Sequence, residues 1–311
     1  MKKIAVIVPC YNEEAVMAES YKRTKQALRL VPGTVEIIYI NDGSRDHTKA
    51  LLDAIAGEDK AVKVIHFSRN FGHQPAVTAG INNCDADLAI IMDADMQDPP
   101  ELIPDMLRLH EQEEANVIYC VRKSRDGESC FKRLSAKLFY RVMNSMSEVR
   151  FPVDTGDFRL IDRKVMNEFN RLKEHGKYIR GLISWVGFKQ IPFYYQREAR
   201  LAGETKYPFK KMLGFGAKAL LYFSKKPLSL AMSLGFVAVA VGIVLGVWFT
   251  LGKIYGFSAA ETGWTSIILA VIFFGGVQLI TVGVLGQYIG VLFDEIKARP
   301  DYIIEETRNF E

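Results

Sequence analysis

Asp93, Asp95 and Asp98, with Gln97 among them, place three carboxylates and an amide within six residues. They follow the apolar run Leu88–Met92, whose composition reads as a strand buried on both faces. Hard oxygen ligands packed this closely repel one another unless a divalent cation sits among them. The alternative is an acidic turn that caps the helix begun by Pro99-Pro100-Glu101, and Asp98 in particular fits such a cap. A second candidate group is Asp157, with Arg159 two residues on as a possible ion-pair partner.

The elements that must position these residues are strand–loop–helix units in series. Apolar strands are expected at Ile4–Val8, Val35–Ile40, Val62–Phe67 and Leu88–Met92. Helices are expected from the first loop to about Leu30, after the cap residue Asp46, and through Asn83. Such a series implies an α/β fold with a mostly parallel sheet. In an open sheet of this kind, ligands bind outside the carboxyl ends of the strands, where each loop here carries polar residues. Neither a G-x-G-x-x-G nor a G-x-x-x-x-G-K pattern is present, which argues against a dinucleotide fold or a P-loop enzyme.

The chain has 311 residues and a formal charge of +4, too weak a balance to argue for nucleic acid. Its four cysteines have no metal-ligand spacing, so a reducing compartment is expected. The N-terminal apolar run stops at Pro9, too short for a signal-peptide core. The C-terminal third differs in composition. Leu228–Leu251 and Thr262–Phe293 contain no charged residue, and each exceeds the roughly 20 residues that cross a bilayer. A short connection makes them an antiparallel hairpin. Lys225, Lys226, Lys297 and Arg299 flank its open end, so the positive-inside rule puts both termini in the cytoplasm. Trp248 and Trp264 fall near the outer ends, and Gly242-x-x-x-Gly246 and Gly286-x-x-x-Gly290 permit close helix approach. Residues 131–146 and 208–226 pair apolar positions at helical spacing with Arg133, Lys137 and Arg141, or Lys211, Lys218 and Lys225. Basic amphipathic helices of this kind lie in the membrane interface; ordinary domain-surface helices are the alternative.

Three motifs in order carry a resemblance: Val8–Glu14, Asn41-Asp42-Gly43-Ser44 with Asp46 and Thr48, and Asp93-Ala94-Asp95 with Gln97 and Asp98. They resemble the family 2 glycosyltransferases of GT-A fold. Asp154–Leu160 narrows the likeness to the polyprenyl-phosphate sugar transferases, closest to the bactoprenol glucosyltransferases and related to dolichyl-phosphate mannose synthase. The likeness covers essentially the whole chain, hairpin included. The organisation it implies is a cytoplasmic GT-A domain at 1–207, a juxtamembrane helix at 208–226, a hairpin at 227–293 with spans near 228–251 and 264–290, and a cytoplasmic tail at 294–311.

The resemblance also implies roles. Pro9, Tyr11, Asn12 and Glu13 would wall the base and ribose of a UDP-sugar, and Asp42 would accept a hydrogen bond from the base. Arg69 and Gln74 would be further nucleoside contacts, with a solvated loop position the alternative for Arg69. Many relatives have Asp where this chain has Asn41. Asp93 resembles the ribose-side carboxylate, and Asp95 and Gln97, with Asp93, the ligands of Mg²⁺ or Mn²⁺. Asp157 matches the position assigned to a catalytic base, but a phosphate-monoester acceptor hardly needs one. It either acts as that base or orients the acceptor and answers charge growing at the sugar. Arg122, Arg125 and Arg133 would face the lipid phosphate, and Arg200 and Lys206 are further phosphate candidates on a mobile loop.

The reaction implied is inverting transfer of one hexose, glucose from UDP-glucose, to undecaprenyl phosphate at the cytoplasmic face of a bacterial inner membrane. The alternatives are mannose, N-acetylglucosamine or an aminoarabinose derivative. A processive polysaccharide synthase lacks support, since its Gln-x-x-Arg-Trp motif is missing. A catalytically silent scaffold or flippase component is the reading from another class. The expected partners are membrane lipids, a second copy of the chain, a flippase and a downstream transferase.

Overall fold

The computed structural model describes residues 2–122, 155–196, 224–255 and 263–310. Arg125, Arg133, Arg200, Lys206, Asp154, the helix expected at 131–146 and nearly all of the one expected at 208–226 lie outside the described residues. The chain divides into two compact units. One comprises Met1–Asn144, Val149–Pro208 and Arg299–Glu311, and the other Ser145–Glu148 and Phe209–Ala298.

Among the described residues, the first unit is built on eight strands: β1 (Lys3–Cys10), β2 (Thr34–Asn41), β3 (Val62–Phe67), β4 (Leu88–Ile91), β5 (Val117–Arg122), β6 (Thr155–Asp162), β7 (Gln190–Tyr195) and β8 (Ile304–Arg308). Their order is β7-β5-β6-β4-β1-β2-β3-β8. The four strands expected from the apolar runs are the contiguous parallel block β4-β1-β2-β3. Ile4–Val8 and Leu88–Ile91 are buried throughout, as strands covered on both faces must be. Helices α1 (Met17–Leu28), α2 (Thr48–Glu58), α3 (His73–Asn82) and α4 (Ile103–Glu113) connect or flank this block. Gly80 lets α3 lie directly on β1: a Cβ there would come 2.3 Å from Ile7 Cγ2.

The parallel block aligns the carboxyl ends of β1 to β4 on one rim. β6 departs from that pattern by running antiparallel to β4, with Ile91 opposite Arg159 and Leu88 opposite Asp162. Its first residues, Thr155–Asp157, therefore extend past the carboxyl end of β4, onto the rim where the Asp93–Asp98 loop emerges. β5 pairs antiparallel with β6 and parallel with β7, so the sheet is mixed. Two shorter helices follow β6: α5 (Arg163–Arg171), capped by the Asp162 carboxylate accepting from Val165 N at 2.9 Å, and α6 (Ile179–Val186).

Part of the stretch expected as a tail is a strand. β8 adds antiparallel to the outer edge of β3. Its sequence, Ile304–Arg308, carries charges rather than an apolar alternation. It is held by ladder pairing, by stacking of Tyr302 on Phe67 (centroids 5.1 Å apart), and by Asn309 Nδ2 donating to Ala56 O and Val62 O at 2.8 and 2.7 Å.

The second unit contains α7 (Lys226–Tyr255) and α8 (Gly263–Lys297), both longer than the apolar runs that signalled them. Each has a stretch long and apolar enough to cross a membrane, and those stretches are only 11% and 0% buried, unlike the core helix of a soluble protein. The two pack at Gly242, where a Cβ would meet Phe274 Cζ at 3.0 Å. Tyr288 Oη donates to Ser224 O at 2.6 Å. Among the described residues, a Cβ at Gly246, Gly286 or Gly290 would meet no atom within 4 Å.

Candidate active site

The first two loops on the rim are laced together by backbone donors. Asn12, in the left-handed region at φ 52°, donates its N–H to Ser44 Oγ at 3.0 Å and accepts from Arg45 N at Oδ1 (2.8 Å). Glu13 N reaches Thr48 Oγ1 at 2.9 Å, and Glu14 N reaches Asp46 Oδ2 at 3.1 Å. Asp46 also accepts from Thr48 N at 3.0 Å, but the N-cap of α2 is His47 and has no side-chain cap, so Asp46 sits one residue before the capping position expected of it. Pro9 is buried, Tyr11 and Glu13 are half-buried, and Asn12 is exposed.

Asp42 is buried and its carboxylate folds the third loop. Oδ1 accepts from Phe71 N at 2.6 Å, while Oδ2 accepts from Gly72 N at 2.9 Å and Asn70 Nδ2 at 2.8 Å. Burial pushes its carboxyl up, and these amides oppose the push. Beside it Gly43, at φ 61°, passes so close to this loop that a Cβ would be 2.3 Å from Arg69 C. Arg69 itself is exposed, its guanidinium 4.0 Å above the Phe71 ring. Gln74 Oε1 accepts from Ile179 N at 2.9 Å, tying α3 to the start of α6.

On the acidic loop, Asp95 Oδ1 accepts from Gln97 N at 3.2 Å in a tight local turn, with Met96 left-handed at φ 58°. Burial raises Asp93 to about 6, with Asp98, Asp157 and Asp95 adding repulsion and His73 opposing. Asp98 is not a helix cap. It is fully buried and accepts from the Tyr195 hydroxyl at the end of β7, while the 3₁₀ turn Pro100–Leu102 has no side-chain cap. The phenol comes from a strand far along the chain.

Asp157, at the start of β6, is buried and held by two cations. Arg180 from α6 donates Nε to Oδ1 at 2.7 Å and Nη2 to Oδ2 at 3.1 Å; His73 Nε2 lies 2.9 Å from Oδ2. Arg159, the partner expected from spacing, is 3.8 Å away and turns its guanidinium to Gly156 O at 3.1 Å. Burial alone would raise Asp157, but Arg180 and then His73 outweigh it and hold the carboxyl well below the usual range. Burial opposes charge on His73 too, yet the bond to Asp157 and the charge of Asp93, 3.8 Å off, lift it to about 9. Arg122, at the end of β5, rests against Gly156, where a Cβ would be 3.1 Å from its Nη2.

His73 and Arg180 carry no role in the sequence reading. His73 is the first residue of α3, directly after the polar loop that follows β3, and Arg180 interrupts an otherwise apolar first turn of α6, which is the one local sign that it has a partner.

Asp93, Asp95 and the Gln97 amide are hard oxygen donors on one loop, with repulsion among the carboxylates. They are a partial set, of the kind that takes Mg²⁺ or Mn²⁺ together with phosphate oxygens. The residues fit such an ion.

The model of glycosyl transferase family 2 matches residues 5–169. The chain belongs to that family. An uncharacterised glycosyltransferase of Bacillus subtilis (strain 168) is 44% identical over 99% of this chain and 94% of its own. A prophage bactoprenol glucosyl transferase homolog of Escherichia coli (strain K12) is 36% identical, covering 98% and 99%. The bactoprenol glucosyl transferase of Shigella phage SfII is 35% identical, covering 98% of each chain. Among solved structures, glucosyl-3-phosphoglycerate synthase from Mycobacterium tuberculosis, in complex with Mn²⁺, UDP and glucosyl-3-phosphoglycerate, aligns with 71% of this chain and 78% of its own. Its identity is 19% and its TM-score 0.44, a likeness that says nothing of this chain's ligands. This glycosyltransferase thus pairs an α/β catalytic unit with two apolar helices.

Proposed function

We propose that this enzyme transfers one glucose from UDP-glucose to undecaprenyl phosphate, with inversion, at the cytoplasmic face of a bacterial inner membrane. The observation that carries this reading is the meeting, on one rim, of the Asp93–Gln97 loop with an Asp157 carboxylate kept ionised by Arg180 and His73. Full-length likeness to bactoprenol glucosyl transferases supports the lipid acceptor and the sugar.

Asp95, Gln97 and Asp93 would hold the divalent cation, which when bound neutralises charge on the departing diphosphate. The acceptor phosphate monoester has a second pKa of about 6 and is largely dianionic at neutral pH. Its oxygen forms the bond to the anomeric carbon as the bond from that carbon to the UDP oxygen breaks. No proton has to be removed, and a carboxylate gripped by two cations is a poor base. Asp157 would instead orient the acceptor through Arg180 and His73, the two cations it holds on the rim. Arg122, which lies against Gly156, would meet the acceptor phosphate.

The path of the chain supports a hairpin topology. Strands of the catalytic unit precede α7 and follow α8, so a membrane between them has to be crossed an even number of times. The basic residues at the open end favour the cytoplasmic side for both termini.

The test is product analysis. Purified full-length protein is incubated with undecaprenyl phosphate, Mn²⁺ and a panel of nucleotide sugars, and the lipid is identified by mass and anomeric configuration. A β-linked hexosyl phosphate formed from UDP-glucose is expected. Transfer only from another donor overturns the sugar, and an α-linked product overturns inversion.

A further inference from the structure

Asn41, at the carboxyl end of β2, is buried and makes two hydrogen bonds of opposite sense. Its Oδ1 accepts from Ser44 N at 3.0 Å, and its Nδ2 lies 3.0 Å from Nδ1 of His66, a fully buried side chain on β3. The orientation follows from chemistry. Ser44 N–H can only donate, so the amide atom facing it is oxygen and the atom facing His66 is the NH₂ group. His66 Nδ1 must then be an acceptor without a proton. The ring proton sits on Nε2, which donates to Asp53 Oδ1 at 3.2 Å.

Beyond His66 lies a charge-balanced cluster. Asp53 on α2 accepts from Arg308 Nε of β8 at 2.8 Å; Glu306 of β8 pairs with Arg308 Nη2 at 2.8 Å and with Lys49 of α2 at 2.5 Å. Asp53, His66 and Glu306 bring ligand atoms within 4.8 Å of one another, but Arg308 and Lys49 already neutralise both carboxylates. The cluster therefore needs no cation. It sets the state of His66.

The geometry points to His66 as a positioning residue for the donor site: its neutral Nε2–H form fixes the Asn41 amide, and Asn41 fixes the turn Asp42–Ser44 that joins the first nucleotide loop. The inference rests on the proposed reading of these loops as the nucleotide site. Ser44 Oγ in turn holds Asn12 N, so a connected path runs from the C-terminal strand to the loop that would wall the nucleotide. A proton on Nδ1 breaks the path in one step. Asn41 must then turn its oxygen to His66, and its NH₂ group meets Ser44 N–H, donor against donor. Burial opposes that proton and Asp53 favours it, with Lys49 opposing and Glu306 favouring; the net direction is downward from the ordinary imidazole value. An aspartate at 41 reverses the preference, because one carboxylate can accept from Ser44 N and from a protonated Nδ1 together.

The experiment compares the full-length protein with Asn41→Asp, a nearly isosteric change, by calorimetric binding of UDP-glucose with Mn²⁺ and no acceptor between pH 5 and 8. UDP-glucose lacks the terminal phosphate ionisation of UDP, and any titration on the acidic loop is common to both proteins. The unvaried protein is expected to keep its affinity down to about pH 6.5 and to lose about tenfold, the scale of one hydrogen bond, as pH falls from there toward 5, because His66 is shifted below the ordinary imidazole value. Asn41→Asp is expected to abolish that loss. Imidazole ¹⁵N shifts of the unvaried chain are expected to show His66 protonated on Nε2 alone at pH 7.5, and on both nitrogens in Asn41→Asp. Parallel pH profiles, or a proton on Nδ1 in the unvaried protein at pH 7.5, overturn the inference while leaving the nucleotide site in place. No binding of UDP-glucose by the unvaried protein overturns the nucleotide reading and the inference with it.

Discussion

Arg180 grips both oxygens of Asp157, Nε at 2.7 Å from Oδ1 and Nη2 at 3.1 Å from Oδ2. The carboxylate is thereby fixed in orientation and in charge. Its folded pKa lies below the ordinary carboxylate value, so the stabilisation it brings is present above that value and is lost only as pH falls toward the depressed one. Across the neutral range Asp157 does not titrate.

Asp157→Asn should therefore slow transfer by about 10²–10³-fold, the scale of losing one preorganised electrostatic group, and by a similar factor from pH 6 to 8.5. Rates for lipid product formation, measured against the unvaried protein across that range, check this. Recovery of the variant as pH rises through about 6–7, where the acceptor sheds its second proton, would identify Asp157 as a general base.

Removing the cation separates stability from chemistry. Arg180→Gln strips a buried carboxylate of its main partner and should cost about 1–3 kcal/mol, less than a fully buried pair because Arg180 is 27% exposed. Adding Asp157→Asn to that variant should return most of the stability, since no uncompensated charge remains, while activity stays low. Denaturant midpoints of the two variants decide the matter. A double variant as unstable as the sum of its parts would mean that Arg180 supports the fold by other contacts.

The acidic loop predicts a metal requirement. Transfer should vanish with a chelator and return with Mg²⁺ or Mn²⁺, and Asp95→Ala should lose at least about 10²-fold in rate. Full activity of that variant, with an ordinary response to metal, would take the loop out of the reaction.

Much of this site is legible in the chain because buried parallel strands announce themselves as unbroken apolar runs. The polar residues after Val8, Ile40, Phe67 and Met92 then have to share a rim. The charge partners are not legible in the same way. Asp157 and Arg159 share a face of β6 by alternation, which made Arg159 the local choice, but its guanidinium turns to backbone carbonyls and Arg180 arrives from another helix. Asp98 went astray for the same reason, since Tyr195 lies far along the chain. β8 left no apolar signature, because an edge strand held by ladder bonds and ion pairs does not need one.

That strand gives the last prediction. Residues after α8 close the exposed edge of β3, and Asn309, left-handed at φ 59°, adds side-chain bonds to Ala56 O and Val62 O. A chain ending at Lys297 keeps both apolar helices and loses these contacts together with the Tyr302–Phe67 stack and the Arg308–Asp53 and Glu306–Lys49 ion pairs. With each hydrogen bond contributing about 1 kcal/mol net, its catalytic unit should be about 2–4 kcal/mol less stable and prone to edge-to-edge association. Denaturant unfolding in detergent and size-exclusion profiles measure both effects. An unchanged midpoint would mean that β8 is an ornament on the sheet.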